Sequence, residues 1–374
     1  MAEIGIVISS IILLNYLLLS ILVVAGIRRQ REPSQINESN LPFVSILIAA
    51  RNEERNLPPL FSSLEQLDYP VNLFEIIFID DESTDRTRTI ANAQKQKMQN
   101  LEVISPQVKY PNLNGKANAL HNAMQIARGD IICITDADCI LPQSWIRGFL
   151  NHYERDTAMV GGVTIITNES ANGRLFYRLQ SQDWLYILST GSAAAEWGFP
   201  LSIIGNNMSF RRDDYFAVGG FEKAGFSVVE DYTLMRQFQE CGKIIKLCAD
   251  KKIIVSSAPA RTLNSFLTQR KRWILGGRDI SRKAKFIVIL GFVGKILPAI
   301  LLISGSHFTA LISACLILLI DTTLIRYFSS RLDLNSLQNK AWVYPFFSIC
   351  YSLLLIPMVL FHKTVVWKGR VYKL

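Results

Sequence analysis

The chain has 374 residues, enough for one large domain or two ordinary ones, and a formal net charge of +9. Its mean hydropathy of +0.22 is high for a water-soluble protein, and the apolar excess sits at the two ends. The charge invites a nucleic-acid reading. However, Arg270, Lys271, Arg272, Arg278, Arg282, Lys283 and Lys285 crowd just before an apolar segment. That placement argues against a nucleic-acid partner and for an anionic lipid surface. Six cysteines without a CxxC pair show no zinc spacing and suit a reduced, cytosolic compartment.

The first predicted element, Ile4 to Ile27, carries no charge, is long enough to cross a bilayer, and runs into Arg28, Arg29 and Arg31. The positive-inside rule keeps those arginines in the cytoplasm and the N-terminus outside. No basic residue precedes the run, which also exceeds a usual signal core, so residues 1–30 read as a signal anchor.

From Phe43 onward, short apolar runs alternate with helical patterns, which predicts an α/β domain with a mostly parallel sheet over residues 41–260. "FVSILIAA" is the first strand, and Leu60, Leu64 and Leu67 place a helix on "NLPPLFSSLEQL". "FEIIFIDD" is the second strand, "ESTDRTRTIANAQKQK" a helix and "LEVISP" the third strand. "KANALHNAMQIA" is another helix, and "DIICITDAD" the fourth strand.

In such sheets ligands bind beyond the carboxyl ends of the strands. Three polar clusters lie there: "ARNEE" after the first strand, "DDES" at the end of the second and "DAD" at the end of the fourth. Singly, each fits a helix cap or a turn. At successive strand ends they point to a site. Asp136 and Asp138, one alanine apart, leave one face of an extended chain about 7 Å apart or less. A hard divalent cation is the simplest relief for that repulsion. No lysine-bearing phosphate loop and no GxGxxG follows the first strand, so neither a P-loop nor a dinucleotide fold is supported.

Residues 261–285 form a basic, interfacial segment, and residues 286–374 complete the membrane part with a basic tail. Phe308–Ile325 and Val343–Phe361 read as spans. Phe286–Ser304 carries Lys295 near its middle and Pro298 just after, which leaves three placements open: crossing, lying in the interface or re-entering.

"VSILIAARNEERNL", "FIDDESTDRT", "GKANAL", "TDADC", "GNNMSFRR", "VVEDYTLM" and "QRKRW" follow one another from about Val44 to Trp273. In order and spacing the set resembles family 2 glycosyltransferases, which are inverting, nucleotide-sugar-dependent enzymes of GT-A fold. With its flanking apolar segments, the chain is similar to the branch containing ceramide glucosyltransferases, cellulose and hyaluronan synthases, and bacterial lipid or carotenoid glycosyltransferases.

The resemblance implies that Asn52, Glu53 and Asp81 hold the nucleoside, with Asp81 accepting from the uracil imide. It places Lys116 near the donor diphosphate. Asp136 and Asp138 match the family's DXD and face a divalent metal, Mg or Mn, with Asp138 the direct ligand. Asp231 matches the family's base, and Arg272 would offer its fork of donors to the diphosphate. Gln269 and Trp273 complete a QxxRW motif on the acceptor side. Two departures stand out: "DDES" where the family has "DDGS", which puts Glu82 in a glycine's place, and "VED" where it has "TED".

The function so implied is transfer from a UDP-sugar to a lipid or lipid-linked hydroxyl at the cytoplasmic face of the cell membrane, by a multi-pass protein. The alternatives are a processive polysaccharide synthase and a catalytically silent scaffold. Asn15, Lys295 and Asp321 are the obvious polar residues inside the apolar segments, too few to line an export path.

Overall fold

The computed structural model describes residues 2–167, 175–277, 280, 282–361, 364–367 and 370–373. The chain divides into two compact units: an α/β unit of residues 31–165 and 202–258, and a helical unit of residues 1–30, 166–201 and 259–374.

After α1 (Ala2–Arg29), the α/β unit runs β1 (Val44–Ala50), α2 (Leu57–Glu65), β2 (Phe74–Asp80), α3 (Thr87–Lys95), β3 (Leu101–Ile104), α4 (Gly115–Ile126) and β4 (Ile131–Asp136). It continues through β5 (Cys139–Ile140), α5 (Trp145–Leu150), β6 (Thr157–Gly162) and β7 (Thr164–Ile166). The chain returns to it at β8 (Met208–Arg211), α7 (Arg212–Val218), α8 (Gly220–Ala224), α9 (Glu230–Glu240), β9 (Ile244–Cys248) and β10 (Val255–Ser257). α6 (Leu175–Glu196) lies between the two stretches.

The main sheet has the order β3-β2-β1-β4-β8-β6-β9. β3, β2, β1 and β4 are mutually parallel, β8 is antiparallel to both β4 and β6, and β6 is parallel to β9. β1 and β2 are buried at nearly every position, which is why they read as continuous apolar runs instead of alternating. Leu60, Phe61 and Leu64 of α2, with Leu67 just beyond it, pack in one core with Ile46, Ile48 and Phe78. Register then fixes the functional edge. Ala50 pairs with Asp80 and Ala49 with Asp136, so the carboxylate-bearing ends of β2 and β4 emerge beside the end of β1.

In the helical unit, α1 and α6 are joined by α10 (Leu263–Gly276), α11 (Arg282–Ile303), α12 (His307–Arg331) and α13 (Tyr344–Phe361). A hairpin of β11 (Thr364–Trp367) and β12 (Arg370–Lys373) follows. Among the described residues four stretches are long and apolar enough to cross a membrane: Val7–Arg29, Ala284–Ile303, His307–Arg331 and Ala341–Phe361.

The Phe286–Ser304 segment lies within α11 and its short continuation, and α11 meets the same measure of length and hydropathy as the other three stretches. Lys295 is accommodated by its neighbours. Its Nζ stands 3.4 Å from the Asp321 carboxylate of α12, and 4.1 Å and 5.2 Å from the ring centroids of Tyr186 and Tyr344. Tyr16 of α1 donates its hydroxyl to Asp321 at 2.6 Å.

Residues 166–201, which fall inside the expected 41–260 domain, belong to the helical unit. α6 is tied there by Asp183, a fully buried carboxylate that pairs with Arg270 and accepts the hydroxyls of Tyr351 at 2.7 Å and Tyr344 at 3.2 Å. Gly26 lies so close to Ala193 that a Cβ at position 26 would meet the Ala193 carbonyl oxygen at 2.6 Å.

Candidate active site

Where β1 ends, the chain turns through Arg51 and Asn52, and Asn52 has a φ of +57°. Where β2 ends, Glu82 has a φ of +58°. The two turns lock together. The Asn52 N–H donates to Ser83 Oγ at 3.0 Å, Asn52 Oδ1 accepts the Thr84 N–H at 2.8 Å, and the Glu53 N–H donates to Thr87 Oγ1 at 2.7 Å. Asn56 Nδ2 donates to the Glu53 carboxylate at 2.5 Å. Asn52 and Glu53 therefore shape this loop. Arg51 Nη1 donates to the Asp81 carbonyl at 2.9 Å and to the Glu82 carboxylate at 3.2 Å. That bridge supports a left-handed backbone which costs a residue other than glycine about 1–2 kcal/mol. Asp80 and Asp81 are both buried, and the Asp81 N–H donates to the Ala50 carbonyl at 2.8 Å.

The end of β4 departs from the expected geometry. The strand stops at Asp136, and Ala137 and Asp138 form a turn before β5. The extended chain on which the alternation rule rests thus ends at Asp136, and the two carboxylates meet different partners. Asp138 Oδ2 accepts from the Ser257 hydroxyl at 3.4 Å. Asp136 Oδ1 lies 2.6 Å from the Nζ of Lys116, in the first turn of α4.

The same ammonium stands 3.0 Å from Glu230 Oε1, in the first turn of α9. Burial alone would lower the pKa of Lys116, but the carboxylates of Asp136, Glu230 and Asp231 outweigh it and hold that pKa above the ordinary lysine value. Asp231 accepts the Gly205 N–H on Oδ2 at 2.6 Å and the Tyr232 N–H on Oδ1 at 2.8 Å. Two carboxylates in the first turn of α9 also suit the positive end of its dipole. One lysine thus gathers the ends of three elements, which the sequence could not reveal. Glu230 lies beside the expected base, and only its glutamate character hinted at a role.

The "GNNMSFRR" segment is tied into the α/β unit through its asparagines. Buried Asn207 accepts from Trp145 Nε1 at 2.9 Å and donates to the carbonyls of Val163 and Ile253. Asn206 accepts from the Thr164 hydroxyl at 2.9 Å. Gly220 has a φ of +52°, and a Cβ there would strike the Tyr215 ring at 2.3 Å.

Gln269, Arg272 and Trp273 lie on α10, in the helical unit. Gln269 Oε1 accepts from Arg270 Nη1 at 2.9 Å. Trp273 packs edge-on against Trp184 at 5.2 Å, with the Arg270 guanidinium 4.2 Å from its ring centroid. Arg270 is buried and donates through Nε and Nη2 to Asp183 Oδ2 at 2.9 Å and 2.6 Å. Lys271 is buried too and donates to the Thr364 carbonyl at 2.8 Å. These two residues therefore do not belong to the expected lipid-facing patch. Arg282 and Lys285 are exposed, and Arg278 lies outside the described residues.

The residues present fit a divalent cation in one way. Asp136 and Asp138 are hard oxygen donors, but among the described residues no three His, Cys, Asp or Glu side chains gather as a metal cage. A Mg-type ion is commonly held by one or two carboxylates together with phosphate oxygens of a substrate. The set suits an ion shared with a diphosphate.

A mostly parallel sheet with acidic clusters at the ends of β2 and β4 is the arrangement of the GT-A fold. The mannosyltransferase PcManGT from Pyrobaculum calidifontis, solved with GDP-Man and Mn2+, shares this fold at a TM-score of 0.65 and 17% identity, over 96% of this chain and 99% of that one. Residues 5–374 match Glycosyl transferase family 21, and the chain belongs to that family.

Similar curated proteins include a probable glycosyltransferase, YdaM, of Bacillus subtilis (strain 168), 28% identical over 66% of this chain and 58% of that protein. A beta-monoglucosyldiacylglycerol synthase of Nostoc sp. is 32% identical over 37% of this chain and 28% of that protein. A 4,4'-diaponeurosporenoate glycosyltransferase of Staphylococcus haemolyticus is 27% identical over 53% of this chain and 52% of that protein. The chain thus spans roughly a quarter to three-fifths of the length of these relatives.

Proposed function

We propose that this chain is an inverting glycosyltransferase that moves a sugar from a UDP-sugar to the hydroxyl of a lipid or lipid-linked acceptor. The observation that carries the reading is the single ammonium of Lys116 between Asp136 and Glu230, with Asp231 next in the chain. It brings the acidic end of β4, on the donor side, against the start of α9, which offers the base.

An inverting transfer needs a base opposite the leaving group, to take the proton of the attacking hydroxyl. Asp231 would serve in that role, oriented by backbone N–H groups that donate to both of its carboxylate oxygens. Asp81, buried at the end of β2, would accept from the uracil imide, with Asn52 and Glu53 shaping the loop around it. Asp136 and Asp138 would hold Mg2+ or Mn2+, which supplies charge neutralisation for the departing diphosphate. Arg272 would add guanidinium donors to that diphosphate, and Trp273 with Gln269 an acceptor-side wall.

Relatives named for glucosyldiacylglycerol synthesis and for diaponeurosporenoate support an amphipathic acceptor, as do four apolar helices. Lys295 and Asp321 face each other as an ion pair at 3.4 Å inside the helical unit, which favours addition of one or a few sugars over export of a polymer.

The test is to incubate membranes containing the full chain with radiolabelled UDP-sugars and, because the structural relative binds it, GDP-mannose. Label should pass from a UDP-sugar into organic solvent as discrete low-mass species, and a chelator should abolish transfer. Transfer from GDP-mannose alone overturns the donor assignment. A water-retained ladder digested by a polysaccharide hydrolase overturns the acceptor assignment.

A further inference from the structure

In the helical unit a cavity of about 360 Å³ opens between the starts of α6 and α10 and the side of α13. Its lining is Phe176, Leu263, Phe347, Cys350, Tyr351 and Leu354, with Arg261 as its one charged group. The wall is aromatic and ordered: Phe176 meets Phe347 at 6.2 Å, and Phe347 meets Tyr351 at 5.3 Å. Tyr351 turns its hydroxyl away to Asp183, so the face left for a ligand is apolar. The volume lies in the range of small-ligand sites, which pair an apolar lining with a few fixed polar groups.

Arg261 differs from its neighbour in sequence, Arg270. Arg270 is buried and paired with Asp183, whereas Arg261 is exposed and, among the described residues, pairs with no carboxylate. α13 is one of the stretches apolar enough to span a membrane, so the groove opens along a helix that lipid would bathe.

An apolar slot with one uncompensated guanidinium is complementary to an acyl chain that bears an anionic head. Guanidinium also pairs with phosphate through two parallel donors. We propose that this groove binds one anionic bilayer phospholipid, with an acyl chain along Phe176, Phe347 and Leu354 and the phosphate on Arg261. The site goes beyond sugar transfer, since the lipid here is a resident of the groove and not the acceptor.

Cys350 lines the groove and is exposed, which makes it a reporter. The other exposed thiols, Cys241 and Cys315, are replaced by serine in the full chain, and Cys350 is then alkylated with a maleimide in lipid nanodiscs. Three compositions are compared: phosphatidylcholine alone, phosphatidylcholine with phosphatidylglycerol, and phosphatidylcholine with diacylglycerol. Only phosphatidylglycerol should slow alkylation, by about tenfold once it reaches ~10 times its dissociation constant. Arg261→Gln should remove that protection and Arg261→Lys should retain much of it.

Equal protection by all three compositions, protection by diacylglycerol, no protection by phosphatidylglycerol, or protection that survives Arg261→Gln overturns the proposal. Sugar transfer is not the readout, so loss of this site and loss of the transferase reading are separate results.

Discussion

Asp231 Oδ2 accepts the backbone N–H of Gly205 at 2.6 Å, and a Cβ added to Gly205 would stand 3.0 Å from that same oxygen and 3.0 Å from Asp231 Cβ. A side chain at position 205 would therefore fit only if Asp231 gave way by a few tenths of an ångström. Asp231→Asn should keep donor binding and lower transfer by about 10²–10⁴-fold, the usual contribution of a positioned base. Gly205→Ala should move Asp231 and act in the same direction with a smaller loss. Nucleotide affinity by calorimetry and single-turnover rates separate the two effects. Full-rate transfer by Asp231→Asn would shift the role to Glu230.

Lys116→Met leaves Asp136 and Glu230 facing each other without their shared cation. Removing one partner of a buried ion pair costs roughly 3–5 kcal/mol, and because Asp136 is about a third exposed the expected loss is nearer ~1–3 kcal/mol. A divalent cation should recover part of it. Thermal unfolding with and without Mn2+ checks this, and the metal-induced rise in Tm should be larger in the variant than in the parent.

Glu82 occupies a left-handed turn held by Arg51. Glu82→Gly relieves about 1–2 kcal/mol of backbone strain but loses about 0.5–1 kcal/mol to the freedom of glycine in the unfolded chain, so its Tm should stay close to the parent's. Glu82→Val, with a branched Cβ at positive φ, should lower Tm clearly.

His121 donates to or accepts from the Tyr215 hydroxyl at 2.9 Å and is almost wholly buried. Burial lowers its pKa below the ordinary histidine value, and Glu222 at 3.9 Å opposes that only in part. The unfolded chain therefore binds the proton more readily. This contribution is complete above about pH 6.5 and is lost as pH falls through that value toward the folded pKa. Between pH 7 and pH 5 the Tm of His121→Gln should fall less than that of the parent.

Asp321→Asn strands Lys295 inside the helical unit and should reduce the yield of folded protein in detergent. The double variant Lys295→Met/Asp321→Leu removes both charges and should recover most of it, because replacing a buried pair by apolar groups is often neutral. Size-exclusion profiles of the two variants give the comparison.

The strands were legible because a sheet buried on both faces leaves uninterrupted apolar runs, and "VSILIAA" and "FEIIFID" fall on β1 and β2. The acidic clusters at strand ends were legible for the same reason, since a polar group after such a run must sit at an edge. Asp136 and Asp138 were misjudged in geometry because nothing in "TDADC" says that extension stops at the first aspartate. The surroundings of Lys295 were not legible, because its partners are Asp321, 26 positions later, and two tyrosine rings. The roles of Asp183 and Arg270 were hidden likewise: a buried ion pair between residues 87 apart leaves no periodic trace.

The α/β unit is written in two stretches, 31–165 and 202–258, and between them the chain spends 166–201 in the helical unit. Neither unit is therefore a contiguous piece of the coding sequence. A fragment holding the α/β unit alone cannot be obtained by trimming the ends, because a cut after residue 165 discards β8, α9 and Asp231, and a cut after 258 carries α6 along. Recovering such a fragment would require excising α6 and rejoining 165 to 202 through a designed loop.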